Sequence, residues 1–129
     1  MPGDPAALCE RGVVIMRIYI SGAVTGTDDA EERFSKWEDF LKEAGYDVVN
    51  PFKVCSSISD WSHKSLMGIC FRLMDECSAA VFMPGWKGSL GANQEYGYAI
   101  GKDMIIFEPK DFDDLISMCN TCNSVTLGK

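Results

Sequence analysis

Short, nearly unbroken apolar runs alternate along this chain with longer segments whose apolar residues recur every three or four positions. Residues 13–21 (VVIMRIYIS) form a β-rich run with little polar interruption, as expected of a strand buried on both faces. Gly22 ends the run, and Thr25-Gly26-Thr27-Asp28 supplies a turn and a helix cap. A helix is expected over 29–44, where Ala30, Phe34, Trp37, Leu41 and Ala44 make one stripe at 3.6-residue spacing. Its first turn is acidic (Asp29, Glu31, Glu32), which suits the positive end of the helix dipole, and Gly45 terminates it. Residues 46–49 are the second strand, stopped by Asn50-Pro51.

Residues 53–62 have no period and read as a loop. Helical spacing returns over 63–76, with Leu66, Ile69, Leu73 and Cys77 on one face and Met67, Phe71 and Met74 on a second. The third strand is 79–83, followed by a tight loop, Pro84-Gly85-Trp86-Lys87-Gly88. Ser89 is a candidate N-cap for a helix running to Ile100, with Glu95, Tyr96, Tyr98, Ala99 and Ile100 along it. The fourth strand is 104–107, a last short helix runs from Asp111 to about Met118, and 124–127 is a candidate fifth strand. Strand and helix in strict alternation predict an α/β, flavodoxin/Rossmann-like three-layer sandwich with a parallel sheet of four to five strands in order 2-1-3-4. Residues 1–12 are rich in Pro, Gly and Ala and read as an upstream extension, with Met16 a candidate natural start; residues 13–129 are one domain.

Composition narrows the function. The net charge is −7, with no basic stripe, which argues against a nucleic-acid polymer as partner. A small ligand carrying a phosphate remains compatible, because backbone N–H groups at a helix start bind anions without many Lys or Arg. No apolar run approaches the ~20 residues of a membrane span, and no secretory signal is visible, so no membrane partner and a cytoplasmic location are expected. The six cysteines (Cys9, Cys55, Cys70, Cys77, Cys119, Cys122) are irregularly spaced and read as reduced thiols. Cys119 and Cys122 have the spacing of a zinc knuckle or a redox pair. However, His63 is the only histidine, and the motif closes a helix instead of opening one. Neither a metal nor a cofactor is expected.

Ligands of an open parallel sheet bind beyond the carboxyl ends of its strands. Three segments fall there: Ser21, Gly22, Ala23, Thr25 and Gly26 after the first strand, Asn50 after the second, and residues 84–95 after the third. Glycines beside hydroxyl residues let backbone approach a ligand and present amide donors to an anion. The first segment is neither a P-loop nor a GxGxxG, and a tight strand-to-helix turn needs glycine in any case. In the third segment Ser89 can cap its helix and offer a hydroxyl to a phosphate, while Gly91 opens the first turn. Glu95 is either a solvated carboxylate or a nucleophile at the pocket.

The ordered motifs YISGAVTG at 19–26, Asn50-Pro51 and MPGWKGSLGANQE at 83–95 resemble the nucleoside 2-deoxyribosyltransferase-like superfamily. They are closest to its short phage and bacterial branch of uncharacterised function. The resemblance covers about residues 16–108, and the SLGxxxE spacing is also similar to that of deoxynucleoside-monophosphate N-glycosidases. It implies Glu95 as nucleophile on the anomeric carbon of a (deoxy)ribosyl group, with Tyr19 orienting it. Ser89 and the 22–26 loop would hold the 5′-hydroxyl or 5′-phosphate, and Trp86 would stack on base or sugar, with Pro84 and Gly85 beside it. One position departs from the family: the Asp that protonates the leaving base falls near Cys70, and Asp60 and Asp75 are the nearest alternatives.

The resulting expectation is an N-glycosidase or deoxyribosyltransferase acting on a nucleoside or nucleoside 5′-monophosphate. The alternatives are a non-catalytic protein that sequesters a nucleotide-derived ligand, and a thiol redox protein using Cys119 and Cys122. The family's sites are commonly completed by a neighbouring subunit, and the second apolar face at Met67, Phe71 and Met74 suggests a contact surface. A homodimer or higher homo-oligomer is expected.

Overall fold

Four strands form one parallel sheet in the order β2-β1-β3-β4: β1 (Arg17–Ser21), β2 (Asp47–Val49), β3 (Ala79–Phe82) and β4 (Ile105–Phe107). The computed structural model describes residues 16–24, 27–55 and 62–128, the segment 121–128 as backbone only. The expected extension 1–12 and the expected start of the first strand at 13–15 lie outside the described residues. Ile18 pairs with Val48 on one side and Ala79 on the other, which makes β1 a central strand. All pairings are parallel, so every crossover carries helix across a sheet face.

Period-two side chains divide the core into two layers. Ile18, Ile20, Ala79 and Val81 point to one face, where α1 (Ala30–Glu43) and α5 (Phe112–Gly128) cover them with Phe34, Trp37, Leu41 and Leu115. Tyr19, Ala80 and Phe82 point to the other face, under α3 (His63–Asp75) and α4 (Leu90–Gly101), which contribute Met67, Met74, Ala92 and Ala99. Helices on both faces of a parallel sheet make the chain an α/β, Rossmann-like three-layer domain.

Several local expectations are corrected. The first helix starts at Ala30, and its N-cap residue, Asp29, makes no side-chain cap bond. The Asp29 carboxylate instead accepts from Arg33 one turn on, at 2.5 Å. Residues 53–55 are helical, not loop: α2 (Pro51–Cys55) begins at Pro51, whose fixed φ suits a first turn, and the Asn50 Oδ1 accepts from the Phe52 N–H. Five residues are too short to reveal a helical period. At the other end, 124–127 is no fifth strand, because α5 runs on to Gly128. Val125 and Thr126 favour strand only weakly, whereas extending an existing helix adds one hydrogen bond per residue.

The face of α3 is also turned relative to expectation. Met67, Cys70 and Met74 point into the core, while Leu66, Ile69 and Leu73 are half-buried. Phe71 stacks on Tyr98 of α4 with ring centroids 4.3 Å apart. A helix apolar around most of its circumference carries an ambiguous period, and the supposed contact face is largely core. Ile100, though apolar, is 59% exposed.

Candidate active site

A cavity of about 270 Å³ opens at the carboxyl ends of β1 and β2 and the loop after β3. Glu95 lies in its wall, on the second turn of α4, and is only 6% exposed. Ser89 positions that turn: its hydroxyl accepts from the Ala92 N–H, the N-cap bond expected from sequence. The cap orients α4 so that Ala92, Glu95 and Ala99 face the sheet.

Both oxygens of the Glu95 carboxylate are engaged from β1. The Tyr19 hydroxyl donates to Oε2 at 2.6 Å, and the Ser21 hydroxyl donates to Oε1 at 2.5 Å. Tyr19 and Ser21 are two apart on one strand, so the pleat places both on the α4 side. Burial raises the Glu95 pKa above the ordinary carboxylate value, and the bonds from Ser21 and Tyr19 oppose that rise without cancelling it. Burial likewise pushes the Tyr19 phenol well up, with the Glu95 charge adding to it, so the phenol stays a donor. A hydrogen bond to a charged group contributes about 1.5–3 kcal/mol, and two of them hold this carboxylate in one rotamer.

Cys70 also lines the cavity. Burial pushes its thiol up to about 12; the neighbouring Tyr19 hydroxyl opposes the shift and the Glu95 charge reinforces it. The thiol is therefore protonated at neutral pH and holds its proton tightly. Asp75, one of the two alternative acids, faces away from the cavity, accepting from the Tyr98 hydroxyl at 2.6 Å and lying 3.5 Å from Lys102 Nζ. Asp60 lies outside the described residues, as do Thr25 and Gly26.

The other expected site residues divide. Gly22, Ser89 and Gly91 line the cavity with Ser21, Cys70 and Glu95. At Gly22 a Cβ would come within 2.6 Å of the Met83 side chain, so glycine there reflects close packing of the strand end. Ala23 is turned away, its carbonyl accepting from Arg33. Asn50 is buried behind the wall, its amide donating to Glu38 Oε1 at 3.1 Å, and it anchors α2 without touching the cavity. Trp86 is not available to stack on a ligand: it is buried against Phe82 and stacked on Tyr96, with centroids 4.5 Å apart. Pro84 and Gly85 are exposed on that same loop, outside the cavity lining, and Gly85 has φ +87°, which only glycine adopts easily.

Sequence reasoning missed the opposite wall. Phe34 of α1 and Phe52 of α2 close it with apolar surface, and His63 stands at the start of α3. Ser62, immediately before His63, caps α3 by accepting from the Ser65 N–H at 3.2 Å. That cap was the available signal, since it fixes where the only histidine emerges. Gly91 faces it: a Cβ there would lie 3.4 Å from Met67 Sδ and 3.7 Å from His63 Cε1. Gly91→Ala is accordingly expected to leave the melting temperature unchanged or slightly higher, since alanine suits a helix better. The added methyl should weaken ligand binding severalfold, which calorimetric titration of the variant against the parent will measure.

Fold and site together define a parallel α/β domain with a carboxylate-bearing cavity at its strand ends. Residues 16–107 match the family described as Domain of unknown function (DUF4406), and the chain belongs to that family. No curated protein and no solved structure matches the chain.

Proposed function

We propose that the domain cleaves the N-glycosidic bond of a nucleoside or nucleoside 5′-monophosphate through Glu95, as the resemblance to nucleoside 2-deoxyribosyltransferase-like enzymes implies. The observation that carries this reading is a buried carboxylate at a cavity wall, with each oxygen held by a hydroxyl of β1. A carboxylate fixed in this way is suited to attack an oxocarbenium-like anomeric carbon. One Glu95 oxygen bonds to C1′ as the C1′–N bond breaks and its electron pair leaves with the base. Water or a second base then attacks C1′, and the ester bond returns its electrons to the carboxylate. The first turn of α4, at Ser89 and Gly91, is the place for the 5′-hydroxyl or 5′-phosphate, because helix N-termini favour anions.

Incubation with a panel of ribo- and deoxyribonucleosides and their monophosphates, followed by chromatography of free base, tests the reading. Base release from at least one member is expected. One observation favours a second reading, that of a protein which binds such a ligand without cleaving it: the expected acid position holds Cys70, whose thiol burial pushes up to about 12. Saturable binding with no base released at any pH would establish that second reading.

Tyr19→Phe offers a finer test. Removing the hydroxyl deletes one donor that opposes the rise in the Glu95 pKa. The acid limb of the pH–rate profile should move to higher pH. The rate on its plateau should fall about 10- to 100-fold, the scale of one hydrogen bond to a charged group.

A further inference from the structure

We propose that His63 hands the proton to the departing base, a role that rests on the glycosyl-transfer reading of Glu95. A base leaving as an anion is a poor leaving group, so the bond breaks readily only if a donor meets its nitrogen. Among the described residues of the cavity wall, the side chains with a transferable proton are Ser21, Cys55, His63, Cys70, Ser89 and Glu95. Ser21 is committed to Glu95, and the Ser89 oxygen is committed as acceptor to its own helix. Cys70 shares hydrogen bonding with Tyr19 and Glu95, on the nucleophile's own side of the cavity. Thiols and aliphatic hydroxyls in general are weak proton donors near pH 7. An imidazole is the one side chain whose ordinary pKa makes it both a proton donor and an acceptor there.

The geometry fits the role. His63 Nε2 lies 2.9 Å from Gln94 Oε1, so the amide of the residue next to Glu95 fixes the ring. With Nε2 engaged by Gln94 Oε1, the other ring nitrogen is the atom that exchanges a proton with the substrate in this role. The ring lies against the bare backbone of Gly91, at the mouth of the first turn of α4. The charged and titratable groups around it are Glu95 of the same cavity, Cys55 at the end of α2, and Cys70 and Lys64 on its own helix. Its charge also registers at Glu95, where it favours the ionised carboxylate. In the first step the Glu95 oxygen bonds to C1′, the C1′–N electron pair goes to the base, and the His63 proton joins that nitrogen. In the second, water attacks C1′, its proton passes to the neutral imidazole, and the ester bond breaks back to the carboxylate.

The test compares two leaving groups on the parent, His63→Gln and Glu95→Gln. The first substrate is the natural deoxynucleoside or monophosphate cleaved fastest in the panel. The second is a 4-nitrophenyl 2-deoxyriboside with the same 5′ group, whose phenolate leaves without protonation. In the first turnover, before water attacks the glycosyl ester, His63→Gln should release the natural base about 100-fold more slowly yet release nitrophenolate within a few-fold of the parent. Glu95→Gln should lose both. His63 is exposed and its glutamine variant places an amide at the same helix start, so equal melting temperatures are expected and will be checked. Equal losses on both substrates, or no loss on either, would overturn the role of His63 while leaving the nucleophile intact. Nitrophenolate release that survives Glu95→Gln would instead remove the glycosyl-transfer reading, and the role of His63 with it.

Discussion

Replacing Glu95 by glutamine is expected to abolish base release and, at neutral pH, to raise the melting temperature. The two effects have one cause. Glu95 is buried, and burial raises its pKa in the folded chain. A raised acid pKa means that the folded state favours the protonated group. Its contribution to stability is fully present below the unfolded value and is lost as pH rises through the folded value. At pH 7 the ionised carboxylate therefore works against folding. Glutamine keeps the shape and removes the charge, and the Tyr19 and Ser21 hydroxyls can donate to its oxygen and accept from its amide nitrogen. Turnover should fall at least about a thousandfold, the scale of deleting a covalent nucleophile, while ligand affinity changes little. Thermal melts at several pH values will read the other half: the variant's advantage should be largest at neutral pH and shrink toward pH 4. A variant that melts lower at neutral pH would contradict the assignment of Glu95 as a strained, buried anion.

Glu38 should behave in the opposite sense. It is as buried as Glu95, at 4% exposed, yet it is paired: Lys42 Nζ is 2.8 Å from Oε2, Lys53 Nζ is 2.9 Å from Oε1, and the Asn50 amide donates to Oε1. Burial alone would raise its pKa, but the bonds from Lys42, Lys53 and Asn50 outweigh burial and hold it at about 2. A depressed pKa contributes stability above the unfolded value, which is lost as pH falls through the folded one. A shift from 4.5 to about 2 corresponds to roughly 3 kcal/mol, and about 2 kcal/mol once solvent screening of the half-exposed lysines is allowed for. Glu38→Gln should therefore lower the melting temperature by roughly 8 °C at pH 7. The gap to the parent should close between pH 4.5 and pH 2, over which the parent loses the same interaction. Because Lys53 and Asn50 belong to α2 and its entry, ligand affinity should weaken along with stability. Urea titrations across that pH range and binding measurements at pH 7 separate the two effects.

The strand order was legible because each strand is a short apolar run and each helix has a capping residue or a terminating glycine. Gly45, at φ +102°, ends α1 where its position after the apolar stripe implied. Ser89 was legible as a cap for the same reason, and it fixed Glu95 on the inner face of α4. The failures are equally local. On α3 the apolar residues nearly encircle the helix, so spacing did not reveal that Met67, Cys70 and Met74 face the sheet. The family resemblance implies Trp86 as a stacking platform, but the loop turns it inward onto Phe82 and Tyr96. Ser21 lines the cavity, but its hydroxyl bond to Glu95, far along the chain, has no local signal. His63 reads from sequence only as a candidate metal ligand: the Ser62 cap fixes where it emerges, but not that it meets Gly91. Contacts between residues far apart in the chain, such as His63 with Gln94, are set by helix packing and leave no local periodic trace.

The placement of Tyr19 and Ser21 on β1 has a consequence for anyone who alters this domain. Ile18 and Ile20 fill one core layer from the same strand on which Tyr19 and Ser21 hold the carboxylate. A shift of β1 by one residue would exchange the two sets, burying hydroxyls in hydrocarbon and turning isoleucines toward Glu95. The anchoring of Glu95 and the seating of the sheet are thus one specification written once, and neither can drift without the other. The opposite wall carries no such double duty: Phe52 comes from a five-residue helix and Leu66 from the half-buried side of α3. Diversity introduced at Phe52 and Leu66 will reshape what the cavity accepts, whereas diversity introduced into β1 will mostly yield chains that do not fold.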